Sequence, residues 1–71
     1  MTGTTFQDLK KMTAGKTFPM TAVNADGEAV IVEAGKEGGV RFYKLSTAQH
    51  NNWLRINYIW EDGTMEELYE R

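Results

Sequence analysis

The chain contains no cysteine, and only one proline and one histidine occur among its 71 residues. Without cysteine, neither a disulfide nor a thiolate zinc site can stabilise the fold. One histidine also leaves too few ligands for the usual zinc sites, and we expect neither a metal nor a cofactor. The absence of thiols is typical of a reducing compartment, which favours a cytoplasmic location.

Long apolar runs are also missing from the sequence. No stretch approaches the roughly 20 apolar residues that a membrane-spanning helix needs. The first residues, MTGTTFQDLKK, lack the basic start and the apolar run of a signal peptide. We therefore expect one small domain over residues 1–71, with one core and no membrane partner.

Two Asp-Gly pairs, at 26–27 and 62–63, predict two β-hairpins. A type I turn followed by a residue with positive φ makes a three-residue loop, and glycine adopts that φ at little cost. In the first hairpin this loop places Met20 opposite Val32, so that the apolar side chains of both strands share one face. A two-residue loop would instead place a glutamate on that face, which favours the longer loop.

The second hairpin follows the same rule. A three-residue loop places Tyr58 opposite Glu66 and Ile56 opposite Leu68. Residues 65–71 also carry apolar side chains at helical spacing, so a short terminal helix is the alternative to a last strand. The strand is favoured because it completes the hairpin.

The rest of the pattern predicts an α+β domain, in which an N-terminal helix packs on a four- or five-stranded antiparallel meander sheet. Thr4 and Gln7 form a possible capping box, and Gly15 is a natural stop for the helix. A second box, Ser46 with Gln49, would open one or two helical turns. The predicted bounds are a helix at about 5–14 and strands at about 17–24, 28–34, 39–45, 53–60 and 64–70.

The sequence offers little for catalysis. AGKTF at 14–18 resembles the end of a phosphate loop, but Lys10 stands where that loop needs a glycine. His50 lies four residues after Ser46, which one helical turn could bring together, although a loop histidine beside a capping serine is the simpler interpretation. We expect no enzyme activity.

A surface for a protein partner is the favoured function. The alternating stripe Leu54, Ile56, Tyr58 and Trp60 is predicted to face the core, with Val40 and Phe42 on the face of Val30 and Val32. The opposite side of these strands carries residue types that are enriched at protein interfaces. The predicted contact residues are Trp53, Arg55, Asn57, Ile59, Met65, Tyr69, Tyr43 and Arg41. The sequence thus predicts a small non-catalytic binding module, an inhibitor, an adaptor or a homodimeric accessory protein.

Two alternatives stay open. In a nucleic-acid-binding sheet, Tyr43 and Trp53 would stack on bases while Arg41, Lys44 and Arg55 contact phosphates. A weaker alternative is a protein that sequesters a small anionic ligand. Five acidic residues against one basic residue at positions 60–71 count against the nucleic-acid-binding sheet. The helix could also cover the aromatic side of the sheet, which would exchange inside and outside.

Overall fold

The computed structural model describes residues 5 to 71, with only the backbone of His50. It shows one short helix followed by a five-stranded antiparallel sheet, whose strands lie side by side in chain order. The predicted α+β arrangement is therefore confirmed in its five-stranded form. The elements are α1 Phe6–Met12, β1 Met20–Val23, β2 Ala29–Glu37, β3 Val40–Ala48, a short 3-10 segment His50–Asn52, β4 Leu54–Trp60 and β5 Met65–Glu70.

Helix α1 begins with a capping box one residue later than predicted. Thr5 Oγ1 accepts a hydrogen bond from the backbone N–H of Asp8 at 3.2 Å, and the Asp8 carboxylate accepts one from the Thr5 N–H at 3.1 Å. Both groups satisfy backbone donors that have no partner inside the helix. The box predicted on Thr4 and Gln7 is thus wrong, and Thr4 lies outside the described residues.

Both Asp-Gly hairpins have the predicted loop. The N–H of Gly27 donates to the carbonyl of Asn24 at 3.0 Å, and that of Gly63 donates to the carbonyl of Trp60 at 3.1 Å. Both glycines have positive φ, 80° and 94°. The strand registers follow, and residues 65 to 70 form a strand instead of the alternative helix. The confirmed pairs include Met20 with Val32, Ala22 with Val30, Tyr58 with Glu66 and Ile56 with Leu68.

The connection between β2 and β3 differs from the prediction. It is a two-residue loop, Gly38-Gly39, in which both residues have positive φ and Glu37 pairs with Val40. This register places Val32 opposite Leu45. Successive strand residues point to opposite faces, so Phe42 lies on the face away from Val32, and the predicted grouping of Val40 and Phe42 with Val30 and Val32 is wrong.

Strand β3 also extends further than predicted. Ser46 pairs with Ile31 on β2 and with Ile56 on β4, in the middle of the sheet. It therefore does not cap a helix with Gln49, and one helical turn does not separate it from His50. The proposed serine and histidine arrangement has no support in this backbone.

The buried core lies between α1 and one face of the sheet, here called the helix face. Its members are Phe6 and Leu9 from the helix and Val30, Val32, Tyr43 and Ile59 from the sheet. The rings of Phe6 and Tyr43 lie 4.9 Å apart. The stripe predicted to face this core, Leu54, Ile56, Tyr58 and Trp60, lies on the other face, because each of its members is offset by an odd number of residues from Ile59.

A buried hydrogen bond ties the end of α1 to the sheet. The hydroxyl of Thr13 donates to the carbonyl of Leu9 at 2.7 Å and lies 3.2 Å from the hydroxyl of Tyr43. Since the Thr13 hydroxyl has one hydrogen and gives it to Leu9, the Tyr43 hydroxyl is the donor in the second bond. Tyr43 thus holds both ends of α1, by its ring against Phe6 and by its hydroxyl at Thr13.

Replacing Ile59 by alanine tests this assignment of the core. We expect Ile59→Ala to lower the free energy of unfolding by about 2 to 5 kcal/mol, as for other large-to-small core changes. Met65, its neighbour across β4 and β5, is 63% exposed. Met65→Ala is the matched control and should cost about 0.5 kcal/mol or less. Urea denaturation of both variants is the measurement, and equal losses would contradict the assignment.

Candidate functional site

The residues predicted to form a partner surface do not form one continuous exposed patch. Tyr43 and Ile59 are buried in the core under α1, at 8% and 5% exposure. Asn57 lies two residues before Ile59 on β4 and is half-buried. The helix covers the centre of the predicted surface, so the predicted set cannot contact a partner as one unit.

Arg41 is held in place by neighbours within the chain. Its guanidinium lies 5.5 Å from the centre of the Phe6 ring, and its Nε donates to Glu61 at 3.2 Å. Hydrogen bonding to Arg41 is the main cause that lowers the pKa of Glu61 below its ordinary value, and the charges of Arg41, Lys10 and Lys36 lower it further. The same ion pair raises the pKa of Arg41. This contact links the start of α1 to the β4–β5 loop.

Arg55 is also engaged within the chain. Its Nη2 lies 3.5 Å from Oε1 of Glu28, and this oxygen accepts a hydrogen bond from Asn24 at 2.9 Å. Glu28 therefore connects the first hairpin to β4 across the helix face. A phosphate would have to compete with Glu28 for this guanidinium.

Three of the predicted contact residues, Met65, Tyr69 and Trp53, remain exposed. Met65 is 63% and Tyr69 54% exposed, and the ring of Trp53 lies 4.8 Å from the guanidinium of Arg71. A cleft of about 150 Å³ opens near Met65, lined by Thr5, Phe6, Gln7, Ile59, Trp60, Glu61, Gly63 and Met65. Its only titratable side chain is Glu61, which pairs with Arg41 and is ionised at neutral pH because its pKa is lowered. Such a carboxylate is no general acid at neutral pH.

A second apolar surface lies on the opposite side of the sheet, here called the open face. Val23 is 69%, Ile31 48% and Leu54 39% exposed there. None of the elements formed by residues 5 to 71 covers this face, since α1 and its core contacts lie on the other one. Its larger and charged members are Val23, Ile31, Glu33, Glu37, Phe42, Lys44, Leu54, Ile56, Tyr58, Trp60, Glu66, Leu68 and Glu70.

The strand register arranges these side chains in rows across the sheet. Ile31, Ser46, Ile56 and Leu68 form one row, because each pairs with the next. Ile56 is only 2% exposed, although no element formed by residues 5 to 71 covers the open face. The row is therefore buried at Ile56 and exposed at Ile31, which is 48% accessible.

An aromatic cluster forms one end of the open face. The Phe42 ring lies 4.8 Å from the ring of Trp60 and 5.6 Å from that of Tyr58, and Tyr58 stacks on Trp60 at 6.4 Å. Phe42 pairs with Gly35 across β2 and β3, and a Cβ at Gly35 would lie 2.5 Å from Cζ of Phe42. Glycine at position 35 leaves the space in which the ring lies against the backbone of β2.

Charge on the open face is mainly negative. Lys44 is its one cation among the strand residues, against Glu33, Glu37, Glu66 and Glu70 on the same face. Lys44 pairs with Glu33 on β2 and with Tyr58 on β4, and Tyr58 pairs with Glu66. The apolar centre therefore has an acidic margin on β5.

The sequence prediction missed Val23, Ile31 and Phe42 as surface residues. The prediction identifies the stripe of β4 but places it in the core because of its apolar character. A signal that both faces of the sheet are apolar is present in β2, where Ala29, Val30, Ile31 and Val32 are apolar without alternation. Continuous apolar runs are typical of strands that are buried on both faces.

The contact between Gly35 and Phe42 can be tested by a double-mutant cycle. Gly35→Ala should lower the free energy of unfolding by about 1 to 3 kcal/mol, because the added methyl group forces the Phe42 ring out of place. In a Phe42→Leu background the same change should cost clearly less, since the clashing ring is gone. Urea denaturation gives both values. An equal cost in both backgrounds would mean that the ring does not lie against Gly35.

The pairing of Glu61 with Arg41 predicts a pH dependence. The folded protein has a Glu61 pKa below the ordinary value of 4.5, so the pair stabilises the fold above that pH and its contribution is lost as the pH falls through the lowered pKa. Glu61→Gln should therefore lower the melting temperature at pH 7, and the difference should vanish in strong acid. Glu66→Gln, at an exposed position on β5, is the control and should leave the melting temperature unchanged both at pH 7 and in strong acid. A constant difference at all pH values would contradict this role.

Other kinds of site find little support among residues 5 to 71. No group of three or more potential metal-binding side chains occurs there, and no helix in this range has the length and apolar character to cross a membrane. No family model matches the chain, and no curated protein or solved structure is detectably similar to it. The geometry of the open face is therefore the main basis for a functional proposal.

Proposed function

We propose that this chain is a small non-catalytic protein-binding module that docks a protein surface on its open face. The observation that carries the proposal is the exposure of Val23, Ile31 and Leu54 on one uncovered side of the sheet. A contiguous apolar surface of this kind is uncommon on a monomer and marks an interaction site. Docking removes it from water at a gain of about 25 cal/mol per Å² of apolar area.

The surface is also preorganised. Ile56 is buried without a covering layer, and Phe42, Tyr58 and Trp60 support one another in the aromatic cluster. Side chains that are already fixed lose little conformational entropy when a partner binds. Tryptophan and tyrosine are also enriched among the residues that contribute most of the binding energy at protein interfaces.

The charge of the surface favours a protein over a nucleic acid. Lys44 stands alone against four glutamates on the open face, whereas phosphate binding needs several cations. On the helix face, Arg41 and Arg55 lie in ion pairs with carboxylates, and Tyr43 is buried away from any base. The same ion pairs count against the weaker alternative, a small anionic ligand.

Photo-crosslinking tests this proposal in cells that express the chain. A photoreactive amino acid at Ile31 should give one or a few discrete protein adducts, whereas the same group at exposed Lys11 on α1 should not. Leu54→Glu should lower the yield from Ile31 by about tenfold or more, as expected for a residue near the centre of an interface. Circular dichroism would verify that each variant is folded.

Two results would contradict the proposal. One is an equal crosslinking pattern from Ile31 and from Lys11. The other is binding of a mixed-sequence single-stranded oligonucleotide that weakens steeply between about 50 and about 200 mM salt, as phosphate contacts do. The second result would give the nucleic-acid alternative first place.

A further inference from the structure

We propose that the protein that docks on the open face is a second copy of this chain, packed face to face. The twofold axis lies between the two sheets, runs parallel to the strands, and passes between β2 and β3. This inference rests on the proposed function and specifies its partner. Two sheets that pack face to face keep their strands within about 30° of each other and lie about 10 Å apart. Rotation about this axis places β2 over β3 of the second copy, and β1 over β4.

The exposed apolar residues then cover one another. Val23 pairs with Ala29 at one end of β1 and β2, and Leu54 pairs with Ala48 at the same end of β3 and β4. The rotation therefore brings Val23 opposite Leu54 of the second copy, and it does so twice. Ile31 comes opposite Ser46 of the second copy, beside the buried Ile56. A symmetric interface of this kind requires such self-complementarity.

The charges near the axis are complementary as well. Glu33 and Lys44 pair across β2 and β3, on opposite sides of the axis. Each Lys44 therefore faces Glu33 of the second copy, and these four charges sum to zero. In the described chain neither residue takes part in an ion pair, in contrast to Arg41 and Arg55. Glu37, also on the open face of β2, lies at the Gly38-Gly39 end, opposite Val40 of the second copy. The acidic margin on β5, Glu66 and Glu70, stays outside the contact.

Other positions of the axis fit less well. An axis over β3 would place Lys44 opposite Lys44 of the second copy, and these two positive charges would repel each other. An axis over β4 would bring Lys44 opposite Glu66 of the second copy, because both residues flank Tyr58. That arrangement leaves the exposed side chains of Val23 and Ile31 in water, so the axis between β2 and β3 is favoured.

The area is sufficient for a weak dimer. Four strands about 4.8 Å apart, with a mean length of about seven residues at about 3.4 Å per residue, give a flat footprint of roughly 450 Å² per copy. The total for both copies is twice this value, without the extra area that protruding side chains add. It is close to the lower limit of about 1,000 Å² of buried surface for specific interfaces. We therefore expect a dissociation constant of roughly micromolar order.

Reciprocal charge reversal tests the arrangement by sedimentation equilibrium. Lys44→Glu and Glu33→Lys chains should each dimerise at least about tenfold more weakly than the natural chain, because like charges then face each other. A mixture of the two variants should form a heterodimer about as strong as the natural dimer, since every facing pair again has opposite charge. A substitution that weakened dimerisation by disturbing its own chain would do so in the mixture as well. Rescue in the mixture therefore requires contact between residues 33 and 44 of different copies.

Glu66→Lys provides the matched control. It changes the net charge as Glu33→Lys does and lies on the same face, but outside the proposed contact. It should leave dimerisation of the chain unchanged, and its mixture with Lys44→Glu should show no rescue. Rescue by Glu66→Lys in place of Glu33→Lys would overturn the proposed axis.

The two proposals fail in distinguishable ways. A natural chain that stays monomeric to roughly a hundred times the expected micromolar dissociation constant overturns the dimer. If Ile31 still crosslinks to a different protein, the open face remains a binding surface and only the choice of partner is wrong. If the chain is monomeric and Ile31 gives no adduct, both proposals fail.

Discussion

The two-residue loop Gly38-Gly39 is the constraint on which the rest of the structure depends. It pairs Glu37 with Val40, and every later pair along β2 and β3 follows from that register. Because strand side chains alternate between faces, one residue more or less in this loop would move Tyr43 and Ile59 from the core to the open face. Both loop glycines have positive φ, which a hairpin of this length requires and which most other residues adopt only with strain.

The length of α1 explains why one face stays open. Seven helical residues extend about 10 Å. Five strands at about 4.8 Å spacing make a sheet roughly 20 Å across, so one such helix covers at most half of one face. Phe6 and Leu9 bury the centre of the helix face, and nothing comparable among residues 5 to 71 covers the other face. The open face is thus a consequence of how little helix the chain has.

The sequence predicted what local chemistry determines. Asn24 and Gly27 fix the first turn, Trp60 and Gly63 fix the second, and both hairpins have the expected register. The choice of face was not predictable in this way, because the segment with Gly35, Gly38 and Gly39 permits loops of different length. Each choice gives a plausible sheet. The candidate site depends on the same choice of face, since Tyr43 and Ile59, two of its members, lie in the core under α1.

The inverted assignment itself carries information about function. The more apolar side of β4, with Leu54, Ile56, Tyr58 and Trp60, does not face the helix. A domain normally buries its most apolar surface between two layers. In the described chain α1 and the sheet form two layers, and the more apolar side of β4 lies on the open face, outside them. A second sheet packed against that face would complete a three-layer arrangement of helix, sheet and sheet, in which β2 is buried on both sides as its continuous apolar run indicates. The proposed binding through this face would follow the same physical rule that builds the core.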